Sequence, residues 1–378
     1  MLKEPRETME QLPSVFQPFL TWLTGAASKA ELLRVDINKK PPSPIYHVVL
    51  AFLKCMIGVV ISYTYFYYEY YILLIIGWII TVSGMRKLQV VIYHNCAHGM
   101  IFNDEKNNKI LGWFISIVLL IKNYDQYKVE HLAHHSSRKL LTRDDDTLVF
   151  LMDHLGINSK DSVKDMWRKL LITIFSPIAH IRFLLGRLNT GMFSTNISFS
   201  LTCILFWSLL VLIVFFFNIE EIFVIVWMVP LIIGYQISAT LRLVAEHRWP
   251  PVDILQKRER AFISLSTSSV FLGRELKVNP EFSLLSRYIK ILLWWGEMLS
   301  IHLFFRLFVL VGDTPCHDYH HRRPTAKDWT RYAYARKADQ EKGCVGHTHN
   351  YLDSWGYIET VNSNFKSFSE AAPYYQHR

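Results

Sequence analysis

The sequence predicts an all-α integral membrane protein with two transmembrane helical hairpins (four spans), interfacial helices and a cytosolic cap rich in histidine. Two observations on composition predict the fold class. The 378 residues are 51% hydrophobic and only 19% charged, which is little charge for a soluble protein of this length. The apolar residues also form two blocks, 46–85 and 197–241, and each block is long enough for two crossings of about 20 residues.

The two blocks divide naturally into hairpins. In the first, 46–66 and 70–89 are predicted spans, and Lys54 is close enough to one end to extend its amine to the interface. In the second, the spans are 197–217 and 222–241, separated by the polar turn NIEE. A buried soluble core does not need two apolar blocks of this length, so a membrane location is the favoured interpretation.

The distribution of charge predicts the orientation. Lysine and arginine are concentrated in 1–45, 86–190 and 242–340, and the two tight turns within the hairpins contain none. By the positive-inside rule, both termini and the chain between the hairpins are then cytosolic. The formal net charge of +9 would face anionic headgroups. No nucleic-acid-binding motif accompanies that charge, so a nucleic-acid partner is not expected.

Three further apolar stretches are short or carry charge. ILGWFISIVLLI (110–121) is too short for a span and is predicted to be interfacial or re-entrant. The stretch 162–188 mixes apolar residues with lysine and arginine, as surface helices do. The stretch 284–311 contains four charged residues and is predicted to be a pair of interfacial helices rather than a fifth span. This leaves 1–45 as a cytosolic N-terminal segment, 46–324 as the membrane domain and 325–378 as a cytosolic C-terminal tail.

Eight of the 16 histidines lie in three short boxes, all on the predicted cytosolic side. They are His94 and His98 in HNCAH, His131, His134 and His135 in HLAHH, and His317, His320 and His321 in HDYHH. Histidines three or four residues apart share one face of a helix and can converge on one ion, whereas adjacent histidines diverge by about 100°. A single HxxxH pair is more often a hydrogen-bonded core pair. All three boxes together predict a site for two metal ions.

Several residues outside the boxes are candidates for the same site. His247 follows the second hairpin as box one follows the first, which makes it a ninth candidate ligand. Glu246 would then orient a ligand, since ligating imidazoles usually donate their other N–H to a carboxylate. Three acids after box two, Asp144, Asp145 and Asp146, would orient ligands, bind a polar headgroup or lie in a solvated loop. Imidazole ligands alone leave zinc, copper, iron and nickel open.

In order, spacing and placement, HNCAH, HLAHH and HDYHH resemble the histidine boxes of membrane-bound fatty acid desaturases and of the related lipid hydroxylases. The resemblance covers 46–324 and implies two irons per chain, with O2 as co-substrate for attack on an unactivated C–H bond of a lipid chain. It implies nine iron ligands: His94, His98, His131, His134, His135, His247, His317, His320 and His321. Asp318, inside box three, is a further candidate for orienting a ligand.

The sequence also departs from the family. Some members have a water-linked asparagine where this chain has Leu243, and Cys96 and Cys316 are unusual neighbours for an oxidising centre. The five cysteines are odd in number and scattered, which indicates no disulfide framework and a reducing compartment. The fused haem domain of some desaturases, marked by His-Pro-Gly-Gly, is missing. A separate electron carrier, ferredoxin-like or cytochrome-like, with its reductase, is therefore an expected partner.

The sequence thus predicts an O2-dependent di-iron desaturase of a fatty-acyl or similar lipid chain. A hydroxylase on the same scaffold is the alternative, and a metal transporter or sensor is disfavoured because the boxes lie beyond the helix ends. Arg322 and Arg323 are predicted to be exposed charges that face lipid phosphates or an acidic carrier. Cys344, His347 and His349 are interpreted as an exposed loop, with a minor metal site as the alternative.

Overall fold

The computed structural model describes residues 4–36, 39–279 and 281–376. It is predominantly helical, at 71%, and in the part of the chain it describes there is no strand, only two isolated bridges. The helical class predicted from the sequence is confirmed. By contacts the chain divides into two compact units, one of residues 43–242 and one of residues 1–42 with 243–378. The three-part division made from the sequence stays a prediction.

Five helices are long and apolar enough to cross a membrane by length and composition. They are Pro44–Tyr68, Tyr71–Ala97, Ile197–Phe216, Glu220–Glu246 and Leu284–Phe308. The first four coincide with the helices of the two predicted hairpins. The fifth is one continuous helix of 25 residues, so the expectation of a helix pair there is wrong. Its buried charge does not require a break, because the Arg306 guanidinium donates to the carbonyls of Trp22 (2.6 Å) and Gly312 (2.7 Å).

In the unit of residues 43–242, the first two long helices pack together through small residues. A Cβ added at Gly58 would lie 2.4 Å from the backbone nitrogen of Thr81, and one at Gly84 would lie 2.6 Å from that of Cys55. Small residues at helix contacts allow this close approach of backbones in membranes. The first helix begins at Pro44, where Ser43 caps the N-terminus, and ends at Tyr68, before Glu69 in the left-handed conformation. The hairpin therefore fixes the position of the segment that follows it, which carries box one.

Shorter helices join the two hairpins. They are Glu105–Val118, Tyr124–His134, Asp146–Val149, Phe150–His154, Val163–Phe175 and Pro177–Thr190. The first has 14 residues, which is too short for a span, as the sequence indicated. The last two are bent by 75° at Ser176, whose hydroxyl caps the second of them directly before a proline. Taken together the two helices are also long and apolar enough to form a broken span or a re-entrant loop, so the surface helices expected there stay a prediction.

The unit of residues 1–42 and 243–378 contains the N-terminal segment and everything after the second hairpin. Its helices are Pro5–Thr8, Met9–Gln11, Ser14–Phe16, Gln17–Thr24, Lys29–Arg34, Val252–Lys257, Ala261–Ser266, Leu284–Glu297 continuing through Met298–His302 and Leu303–Phe308, Thr314–Cys316, His317–Arg322, Lys327–Arg331, Tyr332–Glu341, Tyr357–Glu370 and Ala372–Gln376. Arg6 is buried against Glu31 at 2.6 Å, which ties the start of the chain to Lys29–Arg34.

The C-terminal tail pairs with an extended segment in the same unit. The backbone N–H of Ser269 donates to the carbonyl of Leu352 (3.0 Å), and that of Phe271 donates to Ser354 (2.8 Å). The N–H of Gly356 donates back to the carbonyl of Phe271 (2.8 Å). These bonds make the tail an integral part of the packed unit.

Candidate metal centre

Box one stands at the end of the helix Tyr71–Ala97. A π-helical stretch, Leu88–Tyr93, precedes His94 directly, and such wide turns occur frequently at functional sites. His94 is buried at 6% exposure, and the backbone N–H of His98 bonds back to the carbonyl of His94. The two imidazole rings lie 5.1 Å apart. The helical spacing predicted for box one is therefore present, with both rings on one face.

Box two is carried by the helix Tyr124–His134. The Asn123 side chain caps its N-terminus by accepting from the N–H of Asp125 at 2.9 Å. The Tyr124 hydroxyl donates to the carbonyl of Cys96 at 2.8 Å, which joins the start of this helix to box one. Burial raises the pKa of Tyr124, with Cys96 and Glu105 adding to the rise, so the phenol stays a neutral donor.

Within this unit, four histidines of the first two boxes converge. A ring nitrogen from each of His94, His98, His131 and His135 lies within 4.8 Å of the others. The Nε2 atom of His131 is 2.8 Å from Nε2 of His98 and 3.1 Å from Nε2 of His135. The Tyr127 ring stacks on His131 at 5.3 Å with an interplanar angle of 9°, which holds that imidazole at the centre of the group.

This geometry suits a metal ion better than a hydrogen-bond network. One imidazole nitrogen carries either one proton or one lone pair, so Nε2 of His131 can make only one good hydrogen bond to its two neighbours. A bond from a divalent ion such as zinc to imidazole is about 2.0–2.1 Å long, so ligands at right angles around it stand about 3.0 Å apart. The observed separations match that value. The four histidines form a group that could hold one ion.

His134 is directed differently from its neighbour His135. Its Nδ1 lies 2.8 Å from Oδ1 of Asp145, whose side chain is fully buried. Asp145 also accepts from the backbone N–H of Leu141 at 2.8 Å, so the carboxylate is fixed by its own loop. A proton on Nδ1 leaves Nε2 of His134 available as a ligand atom, which is the arrangement typical of metal-bound imidazoles.

The other two acids of this loop are exposed. Asp146 pairs with Lys122 at 2.6 Å and is mostly exposed, and Asp144 is exposed. Burial by itself would lower the pKa of Lys122, but Asp146 and Glu130 together raise it. The Lys122 amine therefore stays charged. The roles proposed from the sequence for Asp144 and Asp146 stay predictions.

In the unit of residues 1–42 and 243–378, His247 is held by its flanking backbone. The N–H of Arg248 donates to the carbonyl of Ser266 at 3.1 Å, and the N–H of Trp249 donates to the hydroxyl of Ser367 at 3.0 Å. The Asn364 amide donates to the carbonyl of Val244 at 3.2 Å. His247 itself is 2% exposed. The tail helix Tyr357–Glu370 thus fixes the chain on both sides of His247.

Box three is the short buried helix His317–Arg322, and two of its histidines converge with His247. Nε2 of His317 is 3.0 Å from Nε2 of His321, and a ring nitrogen of His247 lies within 4.8 Å of both. Oε1 of Glu246 lies 2.6 Å from Nε2 of His317. Glu246 was expected to orient a ligand, and it contacts box three. His320 is buried, with its ring 5.8 Å from that of His317.

Asp318 contacts an arginine. Its carboxylate accepts from Arg336 at 2.7 Å and 3.0 Å, and Asp353 accepts from the same guanidinium at 2.6 Å. Burial opposes the charge of Arg336, but Asp318 and Asp353 raise its pKa well above the ordinary value. This buried pair ties the box-three helix to the helix Tyr332–Glu341 and to the tail.

The prediction that Arg322 is an exposed docking charge is wrong. Arg322 is 5% exposed, and its guanidinium donates to the carbonyls of His349 (2.7 Å) and Asn350 (2.9 Å). It also lies 4.1 Å from the centre of the Tyr351 ring. Arg323 is half-buried and pairs with Asp339 at 2.9 Å. These groups come from the tail, and the box itself carries no signal for them.

The cysteines beside the boxes are shielded. Cys96 and Cys316 are buried free thiols, and burial raises the pKa of Cys316 well above its usual range, which keeps its thiol protonated. Cys344 is also buried, whereas the sequence indicated an exposed loop. His347 lies beside the Ser264 hydroxyl at 3.5 Å. Among the described residues, the clusters of side chains that could hold a metal ion do not include Cys344, His347 or His349.

Sequence reasoning missed the residues that support the ligands from a distance. Tyr127 stacks on His131, and Arg336 and Arg322 hold the box-three helix. Tyr127 stands four residues before His131, so helical spacing contained a signal for it. The arginines contact residues 17 to 58 positions away, and no periodicity predicts such contacts.

Comparison with protein families gives a match that covers the site. A sequence model described as fatty acid desaturase matches residues 69–355, which is more than half of the chain and includes every histidine of the three boxes and His247. A search of curated proteins found no match.

Proposed function

The chain belongs to the fatty acid desaturase family, and we propose that it is an O2-dependent di-iron oxidoreductase that desaturates a fatty-acyl or similar lipid chain at the membrane. The observation that carries the proposal is the clustering of the box histidines. The Nε2 atoms of neighbouring imidazoles lie 2.8–3.1 Å apart. The family supports an oxidoreductase of the desaturase or hydroxylase type. A membrane location is supported by the five helices of spanning length.

The nine ligands of the proposed centre are the histidines of the three boxes and His247. Two groups support this set, namely His94, His98, His131 and His135 in one unit and His247, His317 and His321 in the other. His134 and His320 are included because the family resemblance implies them. An iron pair held by these residues would activate O2, the oxidant, for removal of hydrogen from an unactivated C–H bond.

The chain's own residues orient the ligands and keep water out. Asp145 accepts from Nδ1 of His134 and so directs Nε2 toward a metal. Tyr127 fixes the plane of the His131 ring. Burial of His94, His317 and His321, each at 5–6% exposure, removes competing water ligands.

Iron analysis and a product assay test the function. We expect the purified protein to contain about two irons per chain, and a content of one ion or none would contradict the proposal. Expression with and without the protein under 18O2, followed by mass spectrometry of cellular lipids, should show a product lighter by two hydrogens. The His94→Ala variant should abolish that product, while His154→Ala, at an exposed histidine outside the boxes, should not.

Hydroxylation is the second candidate, because the same family supports it. Both reactions begin with removal of one hydrogen, and they differ in whether a second hydrogen leaves or oxygen is added. A product that carries one 18O atom would replace desaturation by hydroxylation in the same experiment. In either case electrons are proposed to come from a separate ferredoxin-like or cytochrome-like carrier.

We propose four spans, with both termini and all boxes on the cytosolic side and Leu284–Phe308 lying along the membrane surface. One face of that helix packs on the N-terminal segment, with Trp294 and Met298 against Met9, Leu20 and Leu23. Its opposite face exposes Leu285 and Leu292, each about 70% accessible. Arg287 and Lys290 in the same helix favour the interface over a span, because charged side chains are costly within the hydrocarbon and common on interfacial helices.

Labelling of introduced cysteines tests the orientation, and all five native cysteines are buried, so their background should be low. In intact cells an impermeant maleimide should label a cysteine at Glu220, in the turn of the second hairpin. It should not label one at Lys106 or Lys160. Labelling at Lys160 would mean that Glu105–Val118 crosses the membrane, which would separate box one from box two.

A further inference from the structure

Glu246 is the last residue of the helix Tyr235–Glu246 and stands directly before His247. Its carboxylate is 9% exposed, with Oε1 2.6 Å from Nε2 of His317. We propose that Glu246 is itself an iron ligand, which completes a mixed site with His247, His317 and His321. This inference rests on the proposed function, because it assigns a further ligand to the same centre.

The first argument concerns what one nitrogen can do. Nε2 of His317 contacts both Oε1 of Glu246 and Nε2 of His321, the latter at 3.0 Å. If that nitrogen carries a proton, it donates well to only one of the two neighbours. If it carries a lone pair, it repels the carboxylate. A cation bound to the lone pair of His317 Nε2 would attract both the carboxylate at 2.6 Å and the second imidazole at 3.0 Å, so that neither contact would depend on a single proton.

The second argument concerns distance. Metal bonds to imidazole nitrogen and carboxylate oxygen are both about 2.0–2.2 Å long, so adjacent ligands stand about 3 Å apart. The pair His317–His321 has that separation, and the pair Glu246–His317 is slightly closer. A carboxylate that only oriented His317 would bond to Nδ1, the nitrogen turned away from the metal. Glu246 instead contacts Nε2, the same nitrogen that lies against His321.

The third argument concerns charge. The site is buried, with exposures between 2% and 6% for His247, His317 and His321. A dication bound there only by neutral imidazoles would keep its full charge, and the protein interior solvates such a charge poorly. A carboxylate ligand lowers that net charge. Asp318, the buried acid next to His317, is already paired with Arg336, so Glu246 is the carboxylate positioned for this role.

The experiment compares Glu246→Gln with Glu259→Gln, which removes the same charge from an exposed glutamate in the same unit. Each protein is loaded with 57Fe and studied by iron analysis, chelator competition and Mössbauer spectroscopy. We expect Glu246→Gln to bind one of its two irons at least about tenfold more weakly and to change the quadrupole doublet of that iron. Glu259→Gln should match the wild type in all three measurements.

A folded Glu246→Gln protein that keeps both irons with wild-type affinity and doublets would overturn the inference, since an amide oxygen can still accept a hydrogen bond. The Glu246→Ala variant provides a second test. Acetate should restore its second iron and acetamide should not, because both accept hydrogen bonds but only acetate is an anionic ligand. Equal rescue by both would also overturn it. A wild type without two irons would instead refute the proposed function.

Discussion

The buried ion pair beneath box three gives the sharpest prediction. Arg336 is 3% exposed at its side chain and holds Asp318, which is fully buried, and Asp353. Replacing Arg336 by Met removes the guanidinium that lies over the rings of Phe271 and Tyr351, and it leaves the Asp318 carboxylate without its counter-charge. Removing one partner of a buried pair costs about 3–5 kcal/mol. For a unit of this size that corresponds to a fall in Tm of about 10 °C.

The assay is thermal unfolding of the purified protein in detergent, with iron content measured in parallel. Arg260→Met, at an exposed arginine of the same unit, controls for loss of charge and should leave Tm within about 1 °C. The double variant Arg336→Met/Asp318→Asn should recover part of the loss, because it removes the uncompensated carboxylate as well. A single variant with wild-type Tm, or a double variant less stable than the single one, would refute the reasoning.

Three other predictions follow from contacts elsewhere. Gly58→Ala should destabilise the first hairpin by about 1–3 kcal/mol in a denaturation titration, because its Cβ would overlap the backbone of the facing helix. Gly186→Ala meets no atom within 4 Å and should instead stabilise by about 0.5–1 kcal/mol; equal effects would contradict this. Asp145→Asn should weaken iron binding about 10–100-fold in a chelator competition, while Asp144→Asn should leave it unchanged, and a reversed order would contradict the assigned contact. Cys316 should resist maleimide at pH 8 in the folded protein, because burial raises the pKa of its thiol, and should react after unfolding; rapid labelling of the native state would contradict its burial.

Local patterns in the sequence predicted much of the fold. Apolar blocks of about 40 residues correspond to the two hairpins because a helix alone can satisfy its backbone in lipid. The histidine spacing predicted converging rings because residues four apart share a helix face, and His94 with His98 and His317 with His321 follow it. His247 was predicted from its place after a hairpin, and its ring lies 4.9 Å from that of His321.

Long-range contacts could not be predicted in the same way. Two arginines after a polar box are most often exposed, and only the folded tail supplies the carbonyls of His349 and Asn350 that bury Arg322. Glu246 shows the same limit. Its position beside His247 suggested an orienting partner, whereas the contact it makes is with His317, 71 positions later. Which nitrogen of His317 it faces depends on tertiary geometry alone.

The helix Tyr357–Glu370 gives the tail a role that composition could not show. It lies beyond the residues that the family model matches, yet Ser367 and Asn364 bond to the backbone on either side of Glu246 and His247. A helix C-terminus leaves its last carbonyls without partners inside the helix, and the Asn364 amide supplies one to Val244. Because the direction of the Glu246 and His247 side chains depends on that final turn, the tail helix positions two of the five proposed ligands in its unit without touching a metal.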